Sequence, residues 1–320
     1  MNVTAAPAAT SRRPRAMLLA SAVGLVIVIW SVNFVAAKIG LRALPPLTLA
    51  SLRVTLAAIL LIPVYFVQRR WTPRAQQSAP PAKFSAKDLW IFLYLGFFGV
   101  SVNQICFTAG LRYTSVGHAA IIVGMGPVYT LFLAVLLGIE RATMAKVAGI
   151  AVAFLGIGIL ASDSGISAHS PSVAGDVIVL AGSLGFATYV VLGKRVALAY
   201  DALTMTTFNH FAGAILILPL SVHAARALAA DGSWRRVPWQ AWAAALYMAL
   251  FSSVIAYLIY FWALRYLEAT QLSAFTYALP VIATALGVFW LGERTSWMQV
   301  LGGLLALSGV YWVEAGRPSS

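Results

Sequence analysis

Leu111-Arg112-Tyr113-Thr114-Ser115 and Leu264-Arg265-Tyr266-Leu267 open two stretches that follow one pattern, 153 positions apart. The first runs on through Pro127, Glu140-Arg141, Gly149 and Gly156, the second through Pro280, Glu293-Arg294, Gly302 and Gly309. Upstream the offset becomes 156, which aligns Lys38 with Lys194 and Pro63 with Pro219. A unit half the chain long has been duplicated. Repeated hydrophobic halves mark membrane carriers, in which a site forms where two repeats face each other.

Composition agrees. Hydrophobic residues make up 61% of the chain and charged ones 10%, with a mean hydropathy of +0.87. Soluble domains are closer to half apolar and a quarter charged, so a water-soluble protein is excluded. The net charge of +13 does not point to nucleic acid, because the basic residues lie between apolar runs and form no basic domain. On a membrane protein such residues set orientation and meet anionic headgroups. Cys106 is the only cysteine, so no intramolecular disulfide can form, and it reads as packing.

Residues 1–16 are short, basic and polar and read as a disordered cytoplasmic tail. The apolar run from Met17 is too long for the core of a secretory signal and is followed by further spans, so it reads as a retained first helix. About 20 apolar residues cross a bilayer. On that measure spans fall at 17–37, 47–67, 89–110, 116–137, 143–161, 175–194, 203–222, 241–263, 270–291 and 297–314. The expected fold is an all-α integral membrane protein of ten transmembrane helices, with a five-helix repeat over 17–161 and a second over 174–315. Fourteen lysines and arginines then fall on the side of the N-terminus and seven on the other, with Arg53 inside a span. This bias places both termini in the cytoplasm. Five is odd, so the second repeat enters the membrane upside down. Such an inverted pair has two related conformations of similar energy, as alternating access requires.

These residues resemble the drug/metabolite transporter superfamily and its EamA branch. The resemblance rests on Trp30-Ser31-Val32-Asn33-Phe34 with Lys38, on Arg53, and on the duplicated Leu-Arg-Tyr, proline, Glu-Arg and glycine motifs, and it covers residues 17–314. It implies ten helices in two five-helix repeats and export or exchange of small metabolites through a central cavity. Asn33 becomes Tyr189 in the second half, so the halves differ chemically.

The candidate site residues are polar or aromatic groups inside apolar spans. Polar side chains are unfavourable in lipid and should face the bundle interior. Arg53 either contacts an anion or carboxylate, which guanidinium matches in a bidentate fork, or is a structural ion bonded to neighbouring helices. His118 and His210 either titrate as a proton-linked switch or sit neutral against a neighbouring helix. By the repeat His118 corresponds to Gln271, which places both on the lumen. Trp30, Asn33, Asn103, Gln104, Tyr189, Tyr257, Tyr260, Trp262 and Tyr277 would build a cavity for an apolar or aromatic metabolite, or serve as ordinary packing. Pro127 and Pro280 should kink spans 4 and 9, as gating joints or as static bends. Gly149 with Ala153, and Gly302 with Ala306, allow close helix approach within the chain or across a homodimer seam. Glu140-Arg141 and Glu293-Arg294 are capping groups or a gate. All nine acids fall at span ends or in loops. A mid-membrane carboxylate for a cationic drug is therefore not expected, and a neutral, zwitterionic or anionic substrate fits better.

The leading reading is a secondary transporter of small, amino-acid-like metabolites in a bacterial inner membrane. The alternative is a multidrug efflux carrier; an integral membrane enzyme or a channel stands further off. No zinc, nucleophile-elbow, phosphate-loop or paired-acid motif is present, so neither a cofactor nor a metal is expected. The expected partners are a small-molecule substrate and the lipid bilayer. The topology predicts that, in a Cys106→Ser background, a cysteine replacing Ser167 is labelled from outside intact cells while one replacing Ser78 is protected. The opposite labelling pattern would reverse the orientation.

Overall fold

The computed structural model describes residues 16–71, 86–139, 143–162, 172–230, 232–267, 272 and 278–315. Among the described residues the protein is all helix, with no strand. Helices α1 (Ala16–Leu41) and α2 (Pro46–Trp71) are followed by α3 (Ala86–Gly96) and α4 (Asn103–Tyr113), joined by the wider π-helical stretch Phe97–Val102. Then come α5 (Val116–Gly124), α6 (Gly126–Leu136) and α7 (Met144–Ser162). The second half holds α8 (Val173–Ala199), α9 (Ala202–Ala230) and α10 (Trp239–Tyr247), then the π-helical stretch Met248–Ile255 and α11 (Ala256–Leu264). It ends with α12 (Ala278–Leu291) and α13 (Trp297–Ala315). Among the described residues seven helical stretches are long and apolar enough to cross a membrane, and Met144–Leu160, Ala278–Leu291 and Trp297–Gly309 are shorter apolar helices. The outer surface is apolar: Phe289 is 84% exposed and Leu136 69%. Such a surface is at home in lipid rather than water, and the chain is an integral membrane protein.

The duplication reaches the helix boundaries. α7 and α13 begin and end 153 positions apart, and the π-helical stretch recurs at the same place in each half. The contacts are reciprocal as well. α7 lies along α13 and α2 along α9, so counterparts meet one another. A Cβ on Gly156 would sit 2.4 Å from the Ala306 nitrogen, and a Cβ on Gly309 would sit 2.5 Å from the Ala153 nitrogen. Gly156 is the counterpart of Gly309, and Ala153 that of Ala306. Reciprocity of this kind is what a two-fold axis produces. Gly156, Gly309 and their alanine partners are therefore packed inside the chain.

Chain ends of helices are closed by local chemistry. Ser115 and Ser172 accept the amide hydrogens of His118 and Gly175 at the starts of α5 and α8. Gly138 and Gly292 adopt φ of 67° and 70° after α6 and α12, a left-handed turn that glycine enters without steric cost. Lys38 donates to the Thr114 carbonyl and Lys194 to those of Leu264 and Leu267. Thr114 and Leu267 are counterparts, so in each half a lysine on the first helix closes the C-terminus of the third, where a positive charge is favoured. The helix breaks at Met125, and Pro127 sits in the first turn of α6, where its missing amide hydrogen is harmless. Pro280 is buried in the first turn of α12. Glu140-Arg141, Gln271 and Tyr277 lie outside the described residues.

The seam between α7 and α13 predicts the outcome of two substitutions. Gly156→Leu should lower thermal stability by about 1–3 kcal/mol or abolish folded yield, since overpacking here meets backbone. Gly158→Leu, which faces open space, should be tolerated. Unfolding of the purified protein in detergent, followed by loss of monodisperse material on heating, reads both.

Candidate functional site

A cavity of about 80 Å³ lies between the repeats, walled by Trp30, Asn33, Phe34, Arg53, Asn103, Gln104, Phe107, Val123, Gly126, Ser183, Phe186, Tyr257 and Leu279. Helices α1, α2, α4, α5 and α6 of the first half and α8, α11 and α12 of the second contribute. Small-molecule sites run to roughly 300–1,000 Å³, so a metabolite fits here only after the walls part.

At the centre Gln104 Nε2 donates to the Tyr257 hydroxyl at 3.0 Å. These two residues are counterparts, 153 apart. Trp30 and Phe186 are also counterparts, by the 156 offset, and their rings meet edge to face at 5.8 Å. A residue touches its own counterpart only near a symmetry axis, so the cavity lies where the halves meet. The π-helical stretches serve the same place. Tyr257 Oη donates to the Gly99 carbonyl at 3.3 Å and Trp30 Nε1 to the Ser252 carbonyl at 3.2 Å. Gly99 and Ser252 are counterparts too, so in each half the widened turn turns the same carbonyl toward the site. Widened turns of this type cluster at functional sites.

Arg53 is 2% exposed, and its Nε donates to Ser253 Oγ at 2.8 Å. Its Nη1 is buried with no hydrogen-bond partner, as is Oδ1 of Asn33. Both residues line the cavity. It thus holds an unused donor on a cation and an unused acceptor on an amide, and among its described lining residues there is no carboxylate. Asn103 Nδ2 is engaged by the Gly182 carbonyl at 3.0 Å.

Of the residues expected at the site, Trp30, Asn33, Arg53, Asn103, Gln104 and Tyr257 come together in this wall. Tyr189, Tyr260 and His210 stand behind it. Asn209 Nδ2 donates to the Tyr189 hydroxyl at 3.0 Å, the Tyr260 ring lies 5.4 Å from Trp30, and the His210 ring meets Tyr257 edge on at 5.0 Å. His210 Nδ1 lies 2.8 Å from the Thr206 carbonyl of its own helix. They support the inner ring of aromatic groups instead of lining the space. His118 is not at the cavity: its Nδ1 lies 3.1 Å from Asp176 Oδ2 at the start of α5, because the first turn of α8 packs there. The sequence placed it on the lumen; in the structure its side chain meets Asp176, and it is not among the described residues that wall this cavity. Asp176 is at a span end, as read, but it is buried rather than facing water.

Phe34, Phe107, Val123, Gly126, Ser183, Phe186, Leu279 and Ser253 were not named as binding residues from the sequence. Two had a signal: Phe186 is the counterpart of Trp30, and Phe107 that of Tyr260. Ser253 had none, because the pairing of α2 with the π-helical stretch exists only in the folded chain.

A polar, aromatic cavity enclosed by apolar helices from two matching halves defines a membrane transport protein. The chain belongs to the EamA-like transporter family, which matches residues 17–162 and 173–314. Relatives of similar length include an uncharacterized transporter of Archaeoglobus fulgidus, 29% identical, with 92% of this chain and 97% of that one covered. A probable terminal-alkyne amino-acid exporter of Streptantibioticus cattleyicolor is 27% identical, with 91% of each chain covered. A probable amino-acid metabolite efflux pump of Escherichia coli is 26% identical, with 90% of this chain and 91% of that one covered. A crystal structure at 18% identity shares the fold, with a TM-score of 0.59 over 95% of this chain and all of the other.

The Gln104–Tyr257 bond predicts a measurable coupling. Gln104→Leu and Tyr257→Phe should each destabilise the protein, and the double variant should lose less than their sum by about 0.6–1.7 kcal/mol, the range for hydrogen bonds between membrane helices. Unfolding of the four proteins in mixed micelles checks it; strict additivity would mean that the bond is absent.

Proposed function

We propose that this protein is a secondary transporter that exports or exchanges small carboxylate-bearing, amino-acid-like metabolites by alternating access. The observation that carries this is Arg53: a buried guanidinium at the cavity wall, with one nitrogen unused and no carboxylate among the described lining residues to neutralise it. A substrate carboxylate supplies the missing acceptor and charge. The Asn33 carbonyl oxygen offers an acceptor for an amino group, and the faces of Trp30, Phe34, Phe107 and Phe186 suit an apolar side chain. The names of the Streptantibioticus cattleyicolor and Escherichia coli relatives support the amino-acid reading. A multidrug carrier for cations fits this wall less well, since a cationic substrate would face Arg53 with no acid to hold it.

In this reading ten helices cross the membrane as two inverted five-helix repeats, with both termini cytoplasmic in a bacterial inner membrane. The three shorter apolar helices complete the ten. The offset helix boundaries and the reciprocal contacts support a two-fold relation, and the odd span number sets that axis in the membrane plane. Rocking of one repeat on the other then exposes the cavity to each side in turn, with the break at Met125 as a bending point.

The test is uptake into proteoliposomes over a panel of radiolabelled amino acids, started from L-phenylalanine. Arg53→Ala should reduce k/K for an amino acid by about 10- to 150-fold, the equivalent of a charged hydrogen bond of about 1.5–3 kcal/mol. Arg53→Lys should keep part of the activity, and uptake of an amino-acid amide should be affected less. Equal losses for the acid and its amide would assign Arg53 to the wall alone, and unchanged kinetics would remove it from the site.

A further inference from the structure

A second cavity, of about 180 Å³, lies where the C-terminal ends of α1, α4 and α12 converge. Its wall is charged. Lys38 and Arg42 come from the end of α1, Arg112 from the end of α4, and Glu293 from the turn beyond α12. Three cations against one carboxylate leave a surplus of two positive charges. Its floor is apolar: Leu41 and Leu111 are buried and Leu291 is half-buried.

Three of the four charged groups have structural partners. Lys38 Nζ donates to the Thr114 carbonyl and Arg112 Nη1 to that of Leu41. Glu293 receives the Val116 amide with both oxygens. Arg42 is exposed, and among the described residues its guanidinium has no hydrogen-bond partner. Helix closure does not account for it. In the second half Lys194 closes the matching helix end, Arg265 repeats Arg112, and the counterpart of Arg42, 156 positions on, is Leu198. The first half therefore carries a cation at a position where the second half does without one. A single exposed arginine is ordinarily just solvated. This one shares a concave wall with Lys38 and with the remaining nitrogens of Arg112, over an apolar floor. Charge of one sign in a cleft with low-dielectric walls concentrates the field there.

The cavity is in line with the central one. Phe34 is one turn from Lys38 on α1, and Phe107 is one turn from Leu111 on α4, so each pair shares a helix face. Both phenylalanines wall the central cavity, and their rings meet edge to face at 5.0 Å. An aromatic pair thus separates the two spaces.

We propose that this cavity is a second binding site, which takes the carboxylate of a small solute with an apolar body. Arg42 and the free nitrogens of Arg112 form a fork for the two carboxylate oxygens, and Leu41, Leu111 and Leu291 cover the apolar part. That floor suits an organic acid better than a bare inorganic ion, which has no apolar surface to bury. The same oxyanion chemistry is found in a lipid headgroup phosphate, and the experiment separates the two sources. The transport reading enters only in making this site a station before the central cavity; the binding itself is tested without transport.

The experiment follows modification of individual arginines by phenylglyoxal, read by peptide mass spectrometry on the full-length protein in non-ionic detergent at fixed ionic strength. Sodium benzoate is the probe and benzamide its neutral control. By mass action, benzoate at ten times its Kd should slow reaction at Arg42 and Arg112 about tenfold. Benzamide should slow neither, and the exposed Arg235 should react at the same rate throughout. Arg42→Leu installs the residue that the second half carries, and in it benzoate should no longer shield Arg112. The proposal is overturned if benzoate has no effect, if benzamide or Arg235 shows the same slowing, or if Arg112 stays shielded in Arg42→Leu. Nanodiscs supply the lipid arm. Shielding in phosphatidylglycerol but not in phosphatidylcholine, with no further effect of benzoate, gives the site to a headgroup and overturns the solute reading. Arg53 is buried and takes no part in this readout, so failure here leaves the uptake test of Arg53 standing, and the reverse also holds.

Discussion

The hydrogen bond between Gln104 and Tyr257 is the contact about which this protein is arranged. It joins two counterparts of a duplicated chain, and it does so at the floor of the cavity. Buried in an apolar bundle, neither group has water as an alternative partner, so each is held in the geometry the other requires. Around it stands a ring of aromatic side chains, in which Trp30 meets its own counterpart Phe186. Two carbonyls of the widened turns, at Gly99 and Ser252, complete the set. The site is thus made by the interface between halves and belongs to neither.

The symmetry of the backbone is broken by chemistry at a few positions. Arg53 has Asn209 as its counterpart, and Asn33 has Tyr189. In the second half those two counterparts are joined by a hydrogen bond, although Asn209 Oδ1 keeps no partner. In the first half Arg53 turns instead to Ser253, and both it and Asn33 keep an unused polar atom at the cavity. Equivalent scaffolds therefore carry one pair bonded to each other and one pair that is not, and the unbonded pair lines the space where a ligand would lie. Unmet polar atoms in so apolar a setting are unfavourable, and a bound polar molecule would relieve them.

Two kinds of interface hold the halves together. α7 and α13 meet through Gly156, Gly309 and their neighbouring alanines, where small residues let the backbones touch and dispersion does the work. The α4–α5 corner meets α8 through Ser172, Asp176 and His118, where each contact is polar and directional. The first kind is indifferent to charge.

Helical class, membrane residence and the duplication were legible in the sequence, because a bilayer imposes them locally. Some 20 consecutive apolar residues can only be helix where no water satisfies the backbone, and an offset of 153 needs no coordinates to be counted. The polar residues inside apolar runs were equally plain, and Trp30, Asn33, Arg53, Asn103, Gln104 and Tyr257 were named for that reason. Which of them share a wall was not legible. His118 and Arg53 look alike on a hydropathy trace, yet one packs on Asp176 and the other faces the cavity. That difference depends on the rotation of each helix about its axis and on which partner it meets, and a polar residue in an apolar run carries no label for either. Only the packing of one half against the other decided it, since counterparts such as Gln104 and Tyr257 can bond only where a symmetry axis passes between them.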